Sequence, residues 1–524
     1  MSDNIDAILH EAPDQDINVK IEYIFGLRQD LYQNIYAIDA DFILYAAANY
    51  IIIYNHTLKS HRKAQQFIPG SLHSNGIKAL TFAKYSKNYV FYVEDLNPKW
   101  KVTAYSLINI SPYYNCPTKL MDYIFEDNMK ITEIYCIAAS SQETGSLICV
   151  PVKTDIFSIV MWRWESETLR EMNTTAVILP KQEFSFLNVK FSQDYTKMDY
   201  FVLYTDEFFS YFSFNNGSLA KHFEFIDEEK KYGNGKILDA EWLPDGKWAI
   251  LTNTDLVIFN LDKKTVVSTI DLERKNCKIT GIQSFYDALI LTGTNKRLEY
   301  WENKQEWERV FCTNFEGYSD FNFKCMSYSS SEDQSIIATT NKNDVFTISF
   351  EKYLNYDDSR LNKESSNEDE IKKQIEKRDK NSLKALLPSF HTGSIDALDI
   401  CINKPYIITG SKDQSLRIYN YLEKKLHLSK QFQEDILSVA FHPSGNYAII
   451  SNEERLRPLH IFYDVIENMT QNGIPSKKSK DIRFSHGGHL FSFEAGNRVE
   501  IWNFLTLQLH QSLKFVFSTS KVSN

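Results

Sequence analysis

The chain is poor in residues that break or decorate structure. It has 18 glycines and 13 prolines in 524 residues, too few for a collagen-like or low-complexity polymer. Its seven cysteines, at 116, 136, 149, 277, 312, 325 and 401, form no Cys-x-x-Cys pair. An odd, scattered set points to reduced thiols in a cytosolic compartment and away from a disulfide framework or zinc site. No apolar run is long enough to cross a bilayer. The longest, Phe42 to Tyr54, contains Asn49 and falls short of the roughly 20 residues a spanning helix needs, so it reads as two buried strands. The start, Met1 to Asp16, is polar and acidic, unlike a signal peptide, so the sequons at Asn109 and Asn173 carry no weight. Positive charge is also in deficit. Against 68 Asp and Glu stand 58 Lys and Arg, a net charge of −10, which disfavours nucleic acid as a partner; no membrane partner is expected either.

What the chain has is strand-forming bulk: 43% hydrophobic residues and 14% aromatic ones, with 35 Phe and 30 Tyr. These residues recur in a pattern. The clearest unit runs from His391-Thr-Gly393 through Ile395, Leu398 and Ile400 to Ile408-Thr-Gly410-Ser411-Lys-Asp413 and Leu416-Arg-Ile-Tyr419-Asn420. It reads as one WD-type repeat with Tyr419 in place of the usual Trp. In this reading Asp413 sits in a tight turn held by His391, Ser411 and the Tyr419 ring. One such unit cannot bury its own faces, so others must flank it.

Two signals mark the others. The first is an apolar residue, a short turn and an alternating strand, as in Trp242-Leu-Pro-Asp-Gly-Lys-Trp248, Phe441-His-Pro-Ser-Gly-Asn-Tyr447 and Phe484-Ser-His-Gly-Gly-His489. The second is a short apolar strand closing on an aromatic, at Tyr54, Tyr105, Trp162, Phe212, Phe259, Trp301, Phe346, Tyr419, Phe462 and Trp502. Phe259 to Trp301 is 42 residues, Tyr419 to Phe462 is 43 and Phe462 to Trp502 is 40, within the ~40–45 of a four-stranded WD blade. Ten blades exceed the ~4–8 of one propeller. The chain divides at a charged stretch between Tyr356 and Lys384. The expected order is a disordered 1–19, a seven-bladed all-β WD40-type propeller over 20–353, a charged and helical insertion over 354–387, three blades of an incomplete second propeller over 388–515, and a tail over 516–524. Asn367 caps the expected helix, Glu368–Lys372, Asp369–Lys373 and Glu376–Lys380 pair along it, and Ile371, Ile375 and Leu383 give a thin apolar stripe for docking a partner.

No catalytic pattern survives inspection, and no enzyme, metal or cofactor is expected. There is no Gly-x-Ser-x-Gly elbow, and Gly246-Lys247 lacks the upstream glycine and the Ser or Thr of a phosphate loop. His391, Ser411 and Asp413 resemble a catalytic triad on paper, but the repeat context assigns them to a blade's turn. Lys477, Lys478, Lys480 and Arg483 form a basic cluster near Asn472-Gly473 and Pro475. It is either a solvated loop or a contact for an acidic polymer such as tubulin's carboxyl-terminal tails. Lys59, His61, Arg62 and Lys63 allow the same two readings.

Several stretches go beyond the generic repeat: Phe25-Gly-Leu-Arg28, Gln66-Phe-Ile-Pro-Gly-Ser71, Lys404-Pro405 ahead of Gly410–Asp413, and Phe484-Ser-His-Gly-Gly-His-Leu-Phe491. In this order they resemble the cilia- and flagella-associated protein fifty-seven family, WD-repeat proteins of the axoneme. The resemblance implies two tandem propellers and a long coiled coil. It also implies a structural adaptor on the doublet microtubule, near the base of the inner dynein arms and the adjoining regulatory complex. The sequence departs from that pattern by carrying three blades of the second propeller and no heptad region. Either a partner chain or family paralogue is therefore expected to complete the second ring, or the sequence is a truncated part of a longer chain. A soluble WD adaptor in trafficking or complex assembly is the alternative.

Overall fold

A computed structural model describes residues 21–514, except 352–381 and short segments at 59–63, 84–87, 108–116, 126–128, 141–145, 156, 166–167, 178–183, 194–196, 198, 216, 227–235, 244, 273–277, 305, 316–317 and 329–334. The described residues form ten antiparallel sheets, each a meander of four strands in sequence order, with one extra short strand in the third and ninth. This is the WD40 propeller fold. The run Phe42 to Tyr54 shows why it arises. Phe42–Ala47 and Tyr50–Asn55 pair as a hairpin. Along the first of these strands Phe42, Leu44 and Ala46 enter one core while Ile43, Tyr45 and Ala47 enter another. A strand buried on both faces reads as continuously apolar, because each side chain alternates between two neighbours.

The shared cores give the arrangement of the sheets. The first and second sheets share a core, and each successive pair through the seventh does the same. The seventh then shares a core with the first, through Cys325, Ile337, Val345 and Leu387 against Ile35, Ile43 and Tyr45. Seven sheets thus close a ring. The eighth and ninth sheets share one core and the ninth and tenth another, so these three form an arc.

The third strand of a sheet carries the repeat's closing aromatic. In eight sheets the pairing with the fourth strand slips by one residue at that aromatic, as at Met161/Trp162, Ile258/Phe259 and Ile418/Tyr419. The bulge bends the outer strand and strengthens its local twist. Tyr54 lies on its third strand without a slip, and Phe462 is the one of the ten that lies off the strand. It lies past the strand Arg455–Ile461 and is 40% exposed, with its ring against His460. That strand carries Pro458, and its pairings show no such slip.

The charged insertion also needs a correction. Residues Ile371 and Ile375 and the i,i+4 pairs lie outside the described residues. Leu383 does not lie on a helix: it opens the strand Leu383–Leu387, the outermost strand of the seventh sheet. Its side chain is 2% exposed, in the core shared by the sixth and seventh sheets, and its carbonyl accepts from Tyr318 Oη at 2.8 Å. The ring therefore takes its last strand from beyond the insertion, and position 353 is not its boundary. A solvated apolar stripe and a buried outer strand look alike in a stretch this short. Leu383→Ala is expected to lower the ring's unfolding free energy by about 2–5 kcal/mol in denaturant titrations. A change within about 0.5 kcal/mol, as for a surface site, would instead place Leu383 on an exposed helix.

Candidate functional site

The polar set of the eighth blade is built around Asp413. The turn Ser411–Gln414 closes by a Gln414 N–H to Ser411 carbonyl bond and puts Gln414 in the left-handed region. Within it Asp413 Oδ2 accepts from His391 Nδ1 at 3.0 Å and from the Thr392 N–H at 2.9 Å. Oδ1 accepts from the Ser415 hydroxyl at 2.6 Å and the Ser415 N–H at 2.9 Å. With its proton on Nδ1, His391 accepts at Nε2 from Thr409 Oγ1 at 2.8 Å. Burial alone would raise the Asp413 carboxyl, but these donors outweigh it and hold it well below the usual carboxylate range.

The chosen residues fall together, with different partners from those assigned by sequence. Ser411 Oγ accepts from the Asp413 N–H at 3.1 Å and so fixes the turn, while the hydroxyls on the carboxylate and imidazole belong to Ser415 and Thr409. The signal for Thr409 was available. It alternates with Ser411 on the strand Tyr406–Ser411, and it pairs directly with Arg417 on the next strand. Tyr419 Oη reaches past the set and donates to the Ser389 carbonyl at 3.2 Å. The His391 and Asp413 side chains are 3% and 9% exposed, so the set is buried and bonded within the blade.

Tyr419 leads to a second structure that sequence reasoning missed. Its ring packs on Phe25, with centroids 4.8 Å apart, and Phe25 packs on Tyr23, over which Lys424 Nζ lies at 5.4 Å. Residues 23–25 precede the first blade, so a strap from the ring lies on the first blade of the arc. Its other side is tied to the ring: the Gln65 side chain accepts from the Ile24 N–H and donates to its carbonyl, at 2.8 and 3.1 Å. Asn343 Nδ2 bridges the carbonyls of Leu27 and His391, at 3.3 and 2.6 Å. Phe390 completes the clasp from inside the core of the first and seventh blades.

The strap lies on one flank of the eighth blade. Tyr419 is opposite Ile407, and Ile407 opposite Ile400; Arg417, Thr409 and Leu398 line up alongside. Residues opposite one another share a face, so these six look away from the ninth blade. The linker and strap cover Tyr419 and Arg417. Leu398, Ile400 and Ile402 stay 60%, 53% and 79% exposed.

The basic cluster is dispersed by its own neighbours. Lys478 pairs with Glu453 at 3.3 Å and Arg483 with Asp481 at 3.0 Å, while Lys477 shares a groove with Glu454. Three carboxylates among four cations leave little field for an acidic polymer. Lys59, His61, Arg62 and Lys63 lie outside the described residues. Among the described residues no group of His, Cys, Asp and Glu has the arrangement of a metal site, and burial pushes the Cys136 and Cys325 thiols up to about 12 and about 11.

Elsewhere the buried polar groups form ionic sets. In the second blade Glu94, fully buried, accepts from the Ser71 N–H and hydroxyl, and Lys101 bridges Glu94 and Asp122. In the sixth, Glu299 takes Arg297 and the Trp301 indole N–H at 2.9 Å. Inside the ring Lys190 Nζ lies 3.2 Å from Asp239 and 2.7 Å from Glu241. Burial alone would depress the Lys190 ammonium, but the two carboxylates outweigh it and hold it above its ordinary value. Asp239 and Glu241, two apart on the strand Ile237–Trp242, share a face, a period-2 signal legible in sequence.

Residues 384–420 match the family model described as WD domain, G-beta repeat. Over 94% of its length the chain is 23% identical to "Cilia- and flagella-associated protein 57" of Mus musculus, spanning 40% of that protein. Two proteins of Tetrahymena thermophila, "Cilia- and flagella-associated protein 57 A" and "57 C", are 35% and 30% identical over 25% of the chain each, or 10% and 11% of their own lengths. The chain is thus a WD-repeat relative of these proteins and spans less than half the length of each.

Two outcomes test this geometry. Asp413→Asn is expected to cost the arc about 1.5–3 kcal/mol at neutral pH, as for hydrogen bonds to a charged group. Because the folded carboxyl is depressed, its contribution is full above the unfolded pKa of ~3.9 and fades as pH falls below it. Acid titrations of thermal stability should therefore fall more steeply in the unmodified protein than in the variant. For the clasp, a double-mutant cycle of Phe25→Ala and Tyr419→Ala should return a coupling of about 0.5–1.5 kcal/mol; additive losses would mean the two rings do not support each other.

Proposed function

We propose that the chain is a non-enzymatic structural scaffold of the ciliary axoneme. It would bind complexes associated with the doublet microtubule and help position inner dynein arms. The observation that carries this reading is the extent of the similarity to the mouse protein: at 94% of the chain, it takes in ring and arc together, where a generic repeat match would cover single blades. The geometry supports a scaffold. A closed ring with buried polar staples is rigid, its loops are free to vary in sequence, and rigid frames carry binding in such loops. The clasp joins ring and arc, so partners on each are held at a fixed spacing.

Among partner surfaces, the flank at Leu398, Ile400 and Ile402 is favoured over the basic cluster, whose charges are matched locally. We assign that flank to further blades that complete the second ring. An intact native mass well above 61.1 kDa for the polypeptide would place those blades in the same chain, and a mass equal to it would assign them to a partner chain or paralogue.

Fractionation tests the scaffold itself. In detergent-stripped cilia the protein should stay with the axoneme and leave only in high salt or chaotrope. Recovery wholly in the soluble cell-body fraction would defeat the axonemal reading and favour a soluble WD adaptor in trafficking or assembly.

A further inference from the structure

The sixth blade carries a charge imbalance that the scaffold reading leaves unused. The turn Tyr286-Asp287 joins the strands Ile279–Phe285 and Ala288–Gly293. Beside it, where the strand Leu298–Asn303 ends, lies a cavity of ≈ 320 Å³, at the lower end of the ~300–1,000 Å³ of ligand pockets. Three rings wall it: Phe285 and Tyr300, 1% and 6% exposed, and Tyr286, 50% exposed. Tyr286 has a φ of 51°, in a two-residue hairpin turn whose left-handed positions usually fall to glycine or asparagine. Its ring stands edge-on to Phe285, with centroids 4.9 Å apart. Tyr300 is buried, yet its hydroxyl makes no hydrogen bond among the described residues.

The charges at the cavity do not balance. Asp287 and Glu302 line it against one cation, Lys304. The Lys304 ammonium lies 3.8 Å from Glu302 on a side chain 61% exposed, so it compensates one carboxylate weakly. Asp287 is exposed and has no partner among the described residues. Glu302 also stands directly opposite Glu308 on the strand Trp307–Thr313, and like charges in that relation repel. Arg309 does not relieve them. It is opposite Trp301, on the other face of the sheet, and lies 3.6 Å from Glu299. Both lining carboxylates act on Tyr300: burial first, then Glu302 and Asp287, push its hydroxyl up to about 12. Among the described residues no three acids converge as a metal site needs, so the walls suit an organic cation, which aromatic faces also attract.

We propose that this corner of the sixth blade is a recognition site for a cationic side chain, an arginine or lysine in a basic segment of a partner polypeptide. Asp287 and Glu302 receive the charge, the unbonded Tyr300 hydroxyl accepts a hydrogen bond from it, and the Tyr286 ring covers its aliphatic stem. The chemistry is independent of cellular location, so the site stands or falls separately from the axonemal reading.

The test uses the full chain and blocked pentapeptides as probes: Gly-Gly-Arg-Gly-Gly, its lysine counterpart, and its citrulline counterpart as the neutral isostere of arginine. Ligand-observed saturation-transfer NMR would follow binding. The two cationic peptides should bind saturably and the citrulline peptide at least about tenfold more weakly, as for loss of a charge-assisted contact. Asp287→Lys reverses an exposed charge that holds no bond in the fold, and should abolish saturable binding while the thermal midpoint stays unchanged. Asp464→Lys makes the same change of net charge on an exposed turn of the ninth blade, and should leave binding within about twofold because distant charges are screened. Tyr286→Gly should weaken the cations about two- to fivefold, as for an exposed cation–π contact. Equal binding of the arginine and citrulline peptides, no saturable binding, or an equal loss in Asp287→Lys and Asp464→Lys would each overturn the proposal.

Discussion

Burial on both faces is the constraint on which this structure depends. A sheet in most folds needs one covered side. Here each inner strand sends alternate side chains into two different cores, so a blade without neighbours on both flanks exposes apolar surface at a cost of roughly 25 cal/mol per Å². Seven blades satisfy the constraint by closing on themselves, through the core shared by Ile35, Tyr45, Val345 and Leu387. The arc satisfies it internally, between the eighth and ninth blades and the ninth and tenth. At its leading flank the strap and linker meet it in part.

The same constraint explains how much of the fold was legible. Runs that are apolar on both faces, separated by short turns and closed by an aromatic, describe double-sided burial almost directly, and they located ten sheets. Boundaries were harder to read where burial is one-sided. The outermost strand of a blade packs on one face alone, so Leu383–Leu387 carries too few apolar residues to stand out from the charged stretch before it, and Leu383 was assigned to a helix. Phe462 misled by the opposite route: an exposed aromatic stood close to the expected spacing, and spacing carries no information about burial. The polar set was legible as a group but not as a network. Sequence placed His391, Asp413 and Tyr419 together, yet which hydroxyl meets which nitrogen depends on strand register, and that put Thr409 and Ser415 where Ser411 had been expected.

The clasp and the contact of Tyr32 with Asp239 were not legible, because both join residues far apart in the chain. Phe25 and Tyr419 are brought together by the closing of a ring between them. Tyr32 meets Asp239 from the opposite side of that ring. No local pattern encodes either contact.

The distribution of polar staples follows from the same physics. Within the ring, blades are covered on both flanks and their hairpins are held by packing, so the His–Asp–hydroxyl set is replaced by ion pairs such as Lys101 with Glu94 or by aromatic cores. The eighth blade has no such cover along Leu398, Ile400 and Ile402. Less of its stability can come from neighbours, and more must come from bonds within the blade. A carboxylate with four donors, an imidazole bonded at both nitrogens and a clasp through Tyr419 supply it. The most complete repeat in the chain therefore stands at an open flank. Its polar set lies within the blade, and its exposed strip lies on the part of that flank which the strap and linker leave uncovered.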